Sequence, residues 1–166
     1  MEFTLSRDKF SIIITTLLIS FSLAGIAVFQ FSEMNMGYRS HYIFGLSSIL
    51  LLIVCLALFV FRPQSYKIEK GNIIIKRMFQ DKMISANEIK IVRIPTDKEI
   101  AWPIRTFGNG GIFGYTGRYY TKHLGKMLWF CSRRSNLVFI ERKGKISVVI
   151  SPDLPKEFVS TYQAGI

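Results

Sequence analysis

The side chains best suited to catalysis are few in this chain and lie far apart. His123 and Cys131 form the closest pairing of a base with a nucleophile, and His41 lies well upstream. A metal site needs several His, Cys or carboxylate ligands at close spacing, and no such run occurs. The chain also has neither a Gly-x-Ser-x-Gly nor a His-Glu-x-x-His motif. We therefore expect no enzyme activity, no catalytic residue, no cofactor and no metal.

A glycine-rich stretch lies in the second half of the chain. Gly108, Gly110, Gly111, Gly114 and Gly117 fall within ten residues. Phosphate-binding loops use glycine so that backbone N–H groups surround an anion, and a helix N-terminus follows the loop. No Gly-Lys-Ser/Thr element is present, and Phe113 takes the place of the last glycine in Gly-x-Gly-x-x-Gly. We interpret the glycines as a tightly turning loop with positive φ angles, with a lipid or partner contact as the functional alternative.

Aromatic and basic residues are interleaved around these glycines, over residues 102–122. Such surfaces suit single-stranded nucleic acid, and they also suit a membrane interface, which Trp and Tyr favour. The apolar stretches described next favour the membrane, although some of these rings are expected to fill the core. Basic residues at strand ends add about 1 kcal/mol each near an anionic leaflet. The candidate lipid or partner contacts are Trp102, Arg105, Phe113, Tyr115, Arg118, Tyr119, Lys122, Lys76, Arg77, Arg133 and Arg134.

Two uncharged apolar stretches near the start of the chain must position these residues. They cover residues 10–31 and 42–61. Crossing a bilayer core takes about 20 helical residues, and a helix satisfies its own backbone groups in lipid. Each stretch is therefore predicted to be a transmembrane helix. A secretory signal over residues 1–27 is the alternative for the first stretch, but its apolar run is longer than such signals use.

The positive charge is concentrated after the second apolar stretch. The chain carries a net charge of +11, and residues 62–166 contain 19 Lys and Arg against 8 Asp and Glu. The short loop 32–41 has one basic residue of this kind, Arg39, against Glu33. The excess of Lys and Arg on cytoplasmic flanks predicts a multi-pass protein of the cytoplasmic membrane with both termini in the cytoplasm. Cys55 and Cys131 are expected to remain unpaired, in agreement with a reducing compartment.

The sequence divides into a helical hairpin over residues 1–63 and one small domain over residues 64–166. Residues 62–65 are interpreted as a linker, which spans at most about 14 Å and presses the domain against the headgroups. Alternating apolar residues around Gly71-Asn72 predict a β-hairpin, and similar runs bring the total to six or seven short strands. Residues 152–163 predict a closing helix with Asp153 as its N-cap. Leu154, Phe158 and Tyr162 form its apolar stripe.

This succession of short strands with a closing helix resembles the pleckstrin-homology (PH) fold. Two stretches, RTFGNGGIFGYTGRY at 105–119 and VVISPDLPKEF at 148–158, are similar to bacterial PH-like domains that follow one or two transmembrane helices. The resemblance covers residues 64–163. It implies a mostly antiparallel β-domain of about seven strands with a C-terminal α-helix, in a membrane setting. It implies no agreed ligand and no catalytic residues.

Some eukaryotic members of this fold bind phosphoinositides through basic residues that flank the first hairpin. Here Lys70 precedes the turn and Lys76-Arg77 follow it. The basic-x-Arg spacing of those members is missing because Met78 comes next, and the loop is very short for holding a headgroup. The resemblance therefore gives little support for phosphoinositide recognition.

Together these observations predict a non-enzymatic integral membrane protein. Its cytoplasmic PH-like domain would bind or scaffold at the inner membrane surface, through anionic lipid headgroups or a membrane-protein partner. The alternative is an accessory subunit of a transport or signalling complex that is recognised through its transmembrane helices. The expected partners are membrane lipids and either a membrane protein or a second copy of the chain. No nucleic acid partner is expected.

Overall fold

The computed structural model describes residues 1–31 and 38–165, so most of the predicted outer loop 32–41 lies outside the described residues. The described chain contains four α-helices and ten strands. The helices are α1 (Lys9–Phe31), α2 (Tyr38–Val60), α3 (Asp97–Ile100) and α4 (Pro155–Ala164). The strands are β1 (Glu2–Thr4), β2 (Pro63–Glu69), β3 (Asn72–Arg77), β4 (Lys82–Ile84), β5 (Ile89–Arg93), β6 (Ile104–Gly110), β7 (Tyr115–Thr121), β8 (Gly125–Cys131), β9 (Val138–Arg142) and β10 (Ser147–Ile150).

Helices α1 and α2 pack against each other, and the residues buried on them are small. Ser11, Thr15 and Ser22 are buried on α1, and Ser48 and Cys55 are buried on α2. Small side chains let two helices approach closely in lipid. The outward faces of the two helices are apolar and exposed. Their side chains include Ile13, Leu17, Phe21, Leu46, Leu50, Ile53 and Leu56, each more than half exposed.

Only α1 satisfies the length and composition expected of a membrane span among the described residues. Its Lys9–Val28 segment has a mean hydropathy of 2.2, whereas the apolar part of α2 is shorter and covers Gly45–Val60. The structure thus confirms a helix in each predicted stretch but supports a membrane span for the first alone. The second apolar stretch belongs to a helix that begins earlier, at Tyr38, where polar residues lead into it.

The domain that follows is built from two sheets. One has the order β1-β2-β3-β4 and is antiparallel, and the other has the order β5-β9-β10-β8-β7-β6. In the second sheet β8 and β10 are parallel and the remaining neighbours are antiparallel. The predicted mostly antiparallel β-domain with a C-terminal helix is therefore confirmed. The expected number of about seven strands is too low, because β1, β6 and β7 were not predicted as strands.

The main core lies between the two sheets, where alternate residues of each strand point inward. Tyr66 and Ile68 of β2, with Ile73 and Ile75 of β3, face side chains from the other sheet such as Ile150. Helix α4 closes this core with Phe158 and Tyr162, which are buried. A second cluster on the other face of the six-stranded sheet includes Tyr115, Tyr119, Met127, Trp129 and Cys131.

Two details of the predicted closing helix are wrong. Leu154 is 57 % exposed and is not part of the buried stripe, which consists of Phe158 and Tyr162. Leu154 also occupies the N-cap position, where Asp153 was expected, and Pro155 is the first helical residue. The carboxylate of Asp153 instead bonds to residues near the start of the chain, as described below.

The glycine stretch, interpreted above as a tightly turning loop, belongs to a strand hairpin, because residues 102–122 contain β6 and β7. Gly108 and Gly117 lie opposite each other in this hairpin, with φ values of +110° and +131°. A Cβ on Gly117 would lie 2.3 Å from the carbonyl oxygen of Phe107. The glycines therefore allow two strands to approach without side chains, and the turn between them covers residues 111–114, which we call the hairpin tip.

Candidate site at the junction of the helices and the domain

Both helices run almost directly into the same sheet. β1 pairs with β2, with Phe3 opposite Tyr66, and residues 5–8 connect β1 to α1. At the other end, only residues 61–62 separate α2 from β2, which begins at Pro63. The predicted linker at residues 62–65 is therefore mostly strand. Since each helix is attached to an adjacent strand of one sheet, the domain cannot swing freely about the helix pair. We call this region the junction.

Asp153 fixes the segment that connects β1 to α1. Its Oδ1 accepts hydrogen bonds from the Ser6 N–H at 2.9 Å and from the Ser6 hydroxyl at 2.7 Å, and its Oδ2 accepts one from Thr4 at 3.0 Å. Arg133 forms an ion pair with the same carboxylate at 2.7 Å. Burial acts to raise the pKa of Asp153, but these donors outweigh it and hold the pKa below its usual value.

The hairpin tip reaches from the domain to both helices. The backbone N–H of Phe113 donates to the Thr15 hydroxyl on α1 at 2.9 Å, and the Phe113 ring meets the Phe59 ring of α2 edge-on with centroids 5.2 Å apart. Phe113 is 8 % exposed. Asn109 holds the tip in shape, because its side chain donates to the Gly114 carbonyl at 2.9 Å and accepts from the Ile112 N–H at 3.0 Å.

A second contact between domain and helix joins Tyr115 to Asp8. The Tyr115 hydroxyl donates to Asp8 Oδ2 at 2.9 Å, while Asp8 Oδ1 accepts from the Ser11 N–H at 2.7 Å at the start of α1. Burial and the Asp8 carboxylate raise the pKa of Tyr115. The guanidinium of Arg134 lies over the Tyr115 ring at 4.8 Å and the Phe10 ring at 5.6 Å. Arg134 is exposed, so this predicted contact residue does lie at the junction.

Arg7 and Arg62 meet in a crevice of about 330 Å³ at the junction. Each lies at a helix end, Arg7 just before α1 and Arg62 just after α2. The Arg62 guanidinium stacks on Phe59 at 4.3 Å from the ring centroid, and its Nε is buried without a hydrogen-bond partner among the described atoms. Burial and the nearby Arg7 lower the pKa of Arg62. The crevice is lined by Leu5, Arg7, Arg62, Pro63, Gln64 and Phe113.

Sequence reasoning did not select this arginine pair as a site. The available signal was a basic residue on the domain side of each apolar stretch. That signal could not show that the two side chains meet, because their proximity depends on the pairing of β1 with β2.

The turn between β3 and β4 adds apolar side chains beside the end of α2. Phe79 in this turn packs edge-on against Phe61, with centroids 5.7 Å apart. Phe79 is 60 % exposed and its neighbour Met78 is 57 % exposed. Lys76 and Arg77, both predicted contacts, flank the turn. Lys76 forms an exposed ion pair with Asp81 at 2.6 Å, and Arg77 donates to the Gln80 carbonyl at 2.8 Å.

The remaining predicted contact residues do not form one surface. Tyr115 and Tyr119 are buried, and the Tyr119 ring stacks on Trp129 with centroids 4.5 Å apart. Burial raises the pKa of Tyr119 to about 12. Arg133 is tied to Asp153, and Arg105 and Arg118 lie along the hairpin. Trp102 is 92 % exposed, and Lys122 lies near it. Both lie near the start of β6, about 20 Å from the hairpin tip.

The one pairing of nucleophile and base suggested by the sequence is not formed. Cys131 lies at the end of β8, whereas His123 precedes its start, so the length of the strand separates them. Cys131 is fully buried, and burial raises the pKa of its thiol. In the described part of the chain, no three His, Cys, Asp or Glu side chains are placed to hold a metal ion.

Two packed sheets closed by a C-terminal helix define a PH-like domain, here joined at its first strands to a pair of apolar helices. Residues 64–165, more than half of the chain, match the family described as Bacterial PH domain, and the chain belongs to this family. The comparisons with curated proteins and with solved structures gave no match. The family match excludes β1 and both apolar helices, which precede residue 64. A PH-like domain is suited to a binding or scaffolding role.

Proposed function

We propose that this protein is an integral membrane protein whose PH-like domain is a binding and scaffolding module fixed on the inner surface of the cytoplasmic membrane. The main support is the helix pair, in which Ser22 and Ser48 are buried whereas apolar side chains such as Leu17 and Leu46 are exposed. This arrangement is opposite to that of a helix pair on a water-soluble protein, where the apolar faces would be buried. Lipid is the environment in which it is stable.

The chemistry around the junction supports the same placement. Arg7, Arg62 and Arg134 lie at the domain ends of the helices, and basic residues there favour the cytoplasmic side. Phe61, Met78 and Phe79 are exposed beside the same helix ends, where apolar and aromatic rings can enter the headgroup region. Together these side chains would hold the domain against an anionic leaflet, with both termini in the cytoplasm.

The opposite end of the domain would face a protein partner. β6 is an edge strand of its sheet, and Trp102, Ile104 and Phe107 on or beside it are 92 %, 63 % and 75 % exposed. Edge strands with exposed apolar side chains readily pair with another chain. With the lipid contacts at the junction, this surface would remain available to a membrane-protein partner or a second copy of the chain.

Photo-crosslinking of the full chain in cells tests both halves of this proposal. A photoreactive amino acid at position 79 should give lipid adducts, and one at position 102 should give protein adducts. The same probe at Lys143, in the turn between β9 and β10, serves as a control and should give neither in quantity. Lipid adducts absent at 79, or a C-terminal reporter located outside the cytoplasm, would contradict membrane docking of the domain.

The alternative role, an accessory subunit recognised through its helices, is favoured by one observation. A groove of about 350 Å³ runs along the outer surface of the helix pair, with side chains including Phe21, Leu50, Leu51 and Val54. A groove of this kind can receive a helix of another membrane protein. A photoreactive residue at position 50 that crosslinks to a specific protein, with no protein adduct at position 102, would favour this role over the first.

A further inference from the structure

The junction places two positively charged side chains in one crevice. Arg7 and Arg62 line one crevice and repel each other closely enough that Arg7 contributes to lowering the pKa of Arg62. Neither forms an ion pair with a carboxylate among the residues that the structure describes. An anion in the crevice would neutralise the arginine pair.

The carboxylates near the crevice are already engaged. Asp8 follows Arg7 in the chain, but its oxygens accept from Ser11 and Tyr115. Asp153 accepts from Thr4 and Ser6 and pairs with Arg133. Glu2 accepts from the hydroxyl of Ser65. Neither arginine of the pair forms an ion pair with these carboxylates, so an anion from outside the chain can serve as their partner.

We propose that the Arg7–Arg62 crevice binds a phosphate group, supplied by the headgroup of an anionic phospholipid. The planar fork of an arginine matches the oxygens of phosphate, and two forks with a charge of +2 suit a phosphomonoester, which carries about −1.5 to −2 at neutral pH. Phe59 holds the Arg62 guanidinium by stacking, so the group is orientated before the ligand arrives. Gln64 lines the same crevice and offers an amide donor.

The position of the crevice makes a lipid the natural source of the phosphate. Arg7 and Arg62 lie at the ends of the two apolar helices, which is the level of the headgroups if the domain is docked as proposed above. The lipid source rests on that proposed function, whereas the phosphate site itself does not. The crevice is also distinct from the turn at Gly71-Asn72, because the seven residues of β2 place that turn about 20 Å away.

The test measures binding by the full chain in an uncharged maltoside detergent. Three ligands are added separately: phosphatidic acid, phosphatidylcholine and inorganic phosphate. The readout is the rise in melting temperature over a series of ligand concentrations, from which the affinity follows. We expect phosphatidic acid to stabilise the wild type and phosphatidylcholine to have little effect. The variant Arg7→Gln/Arg62→Gln should bind phosphatidic acid about tenfold to a hundredfold more weakly, since each charged hydrogen bond contributes about a factor of ten.

Matched variants separate the site from general charge. Lys143→Gln removes one positive charge in the turn after β9 and should leave the affinity for phosphatidic acid unchanged. Arg62→Lys keeps the charge without the fork and should give an intermediate affinity. Arg7→Gln alone should melt no lower than the wild type without ligand, because it relieves repulsion, and it should still bind more weakly. This variant keeps the test valid if the double variant folds poorly.

Each outcome has a defined meaning. Equal affinity for phosphatidic acid in the wild type and in Arg7→Gln would overturn the proposal, and so would an equal loss of affinity in Lys143→Gln. Stabilisation by inorganic phosphate that depends on Arg7, with no further gain from phosphatidic acid, would support the phosphate site and assign it to a free phosphate compound. The assay uses micelles, so failure of the crosslinking test at position 79 would disprove membrane docking without affecting this result.

Discussion

Replacing Phe113 with alanine tests whether the hairpin tip joins the domain to the helices. The Phe113 ring is 8 % exposed and packs against Phe59, and its backbone N–H donates to Thr15. Removing a buried phenylalanine ring costs about 3–5 kcal/mol. We expect about 3 kcal/mol here, because the ring also lines the open crevice and part of the cavity can fill with water. For a chain of this size, that loss lowers the melting temperature by about 6–12 °C.

Fluorescence of Trp129 is a suitable readout for this experiment. The chain has 2 tryptophans, and Trp129 is 1 % exposed whereas Trp102 is 92 % exposed. A Trp102→Phe background therefore leaves a single buried reporter in the six-stranded sheet, and the full chain is melted in detergent. Phe107→Ala is the matched control, since this ring lies on β6 of the same hairpin and is 75 % exposed. It should change stability by less than about 0.5 kcal/mol.

Two results would refute the reasoning. If Phe113→Ala melts within 2 °C of its parent, about the shift expected for 0.5 kcal/mol, then the tip does not hold the helices against the domain. If Phe107→Ala lowers the melting temperature as much as Phe113→Ala, the effect comes from the hairpin as a whole and not from the tip. A loss at Phe113 that disappears when Phe59 is already alanine would instead locate the effect in the contact between those two rings.

Three further changes test other parts of the structure. Gly117→Ala should lower the melting temperature, measured by circular dichroism, far more than Gly125→Ala. A Cβ at Gly117 would lie 2.3 Å from the Phe107 carbonyl oxygen, whereas a Cβ at Gly125 would have no atom within 4 Å. Equal losses in the two variants would contradict a role for the close approach of the strands. Tyr115→Phe should cost about 1.5–3 kcal/mol in denaturant unfolding by removing the bond to Asp8, and Tyr120→Phe, at an exposed tyrosine, should cost little. The bidentate pairing with Arg93, with bonds from Thr96, lowers the pKa of Glu99 from 4.5 to about 2, so its stabilisation is present above pH 4.5 and is lost as the pH falls toward 2. The difference in melting temperature between the wild type and Glu99→Gln should therefore be largest near neutral pH and disappear in acid, and a constant difference would be evidence against this pairing.

Parts of the fold follow directly from local patterns in the sequence. Ile73, Ile74 and Ile75 form a β-branched run after the Gly71-Asn72 break, and the structure shows the expected hairpin there. Phe158 and Tyr162 are four residues apart and both are buried on α4. In each case the residues that define the element are close in the chain, so helix and strand periodicity is enough to predict it.

The hairpin β6–β7 could not be predicted in this way, because glycine usually weakens a strand. Gly108 and Gly117 face each other across the strand pair and allow the two strands to approach closely. This role can be recognised only when the pairing of the two strands is known. β1 was missed for a similar reason. It has three residues, and the strand with which it pairs lies more than sixty residues later. No local pattern marks such a strand, and Phe3 becomes part of the core only through that pairing.

The junction was missed because it depends on β1. The terminal ammonium group of Met1 donates to the Ile68 carbonyl at 2.9 Å, which fixes the first residues along β2. That register places residues 5–8 beside the end of α2 and brings Arg7 to Arg62. The domain over residues 64–166 alone would lack Phe3 of the core and Arg7 of the crevice. Lipid binding by that fragment would therefore say little about the protein, and the full chain is the form in which both helix ends and the arginine pair can be tested.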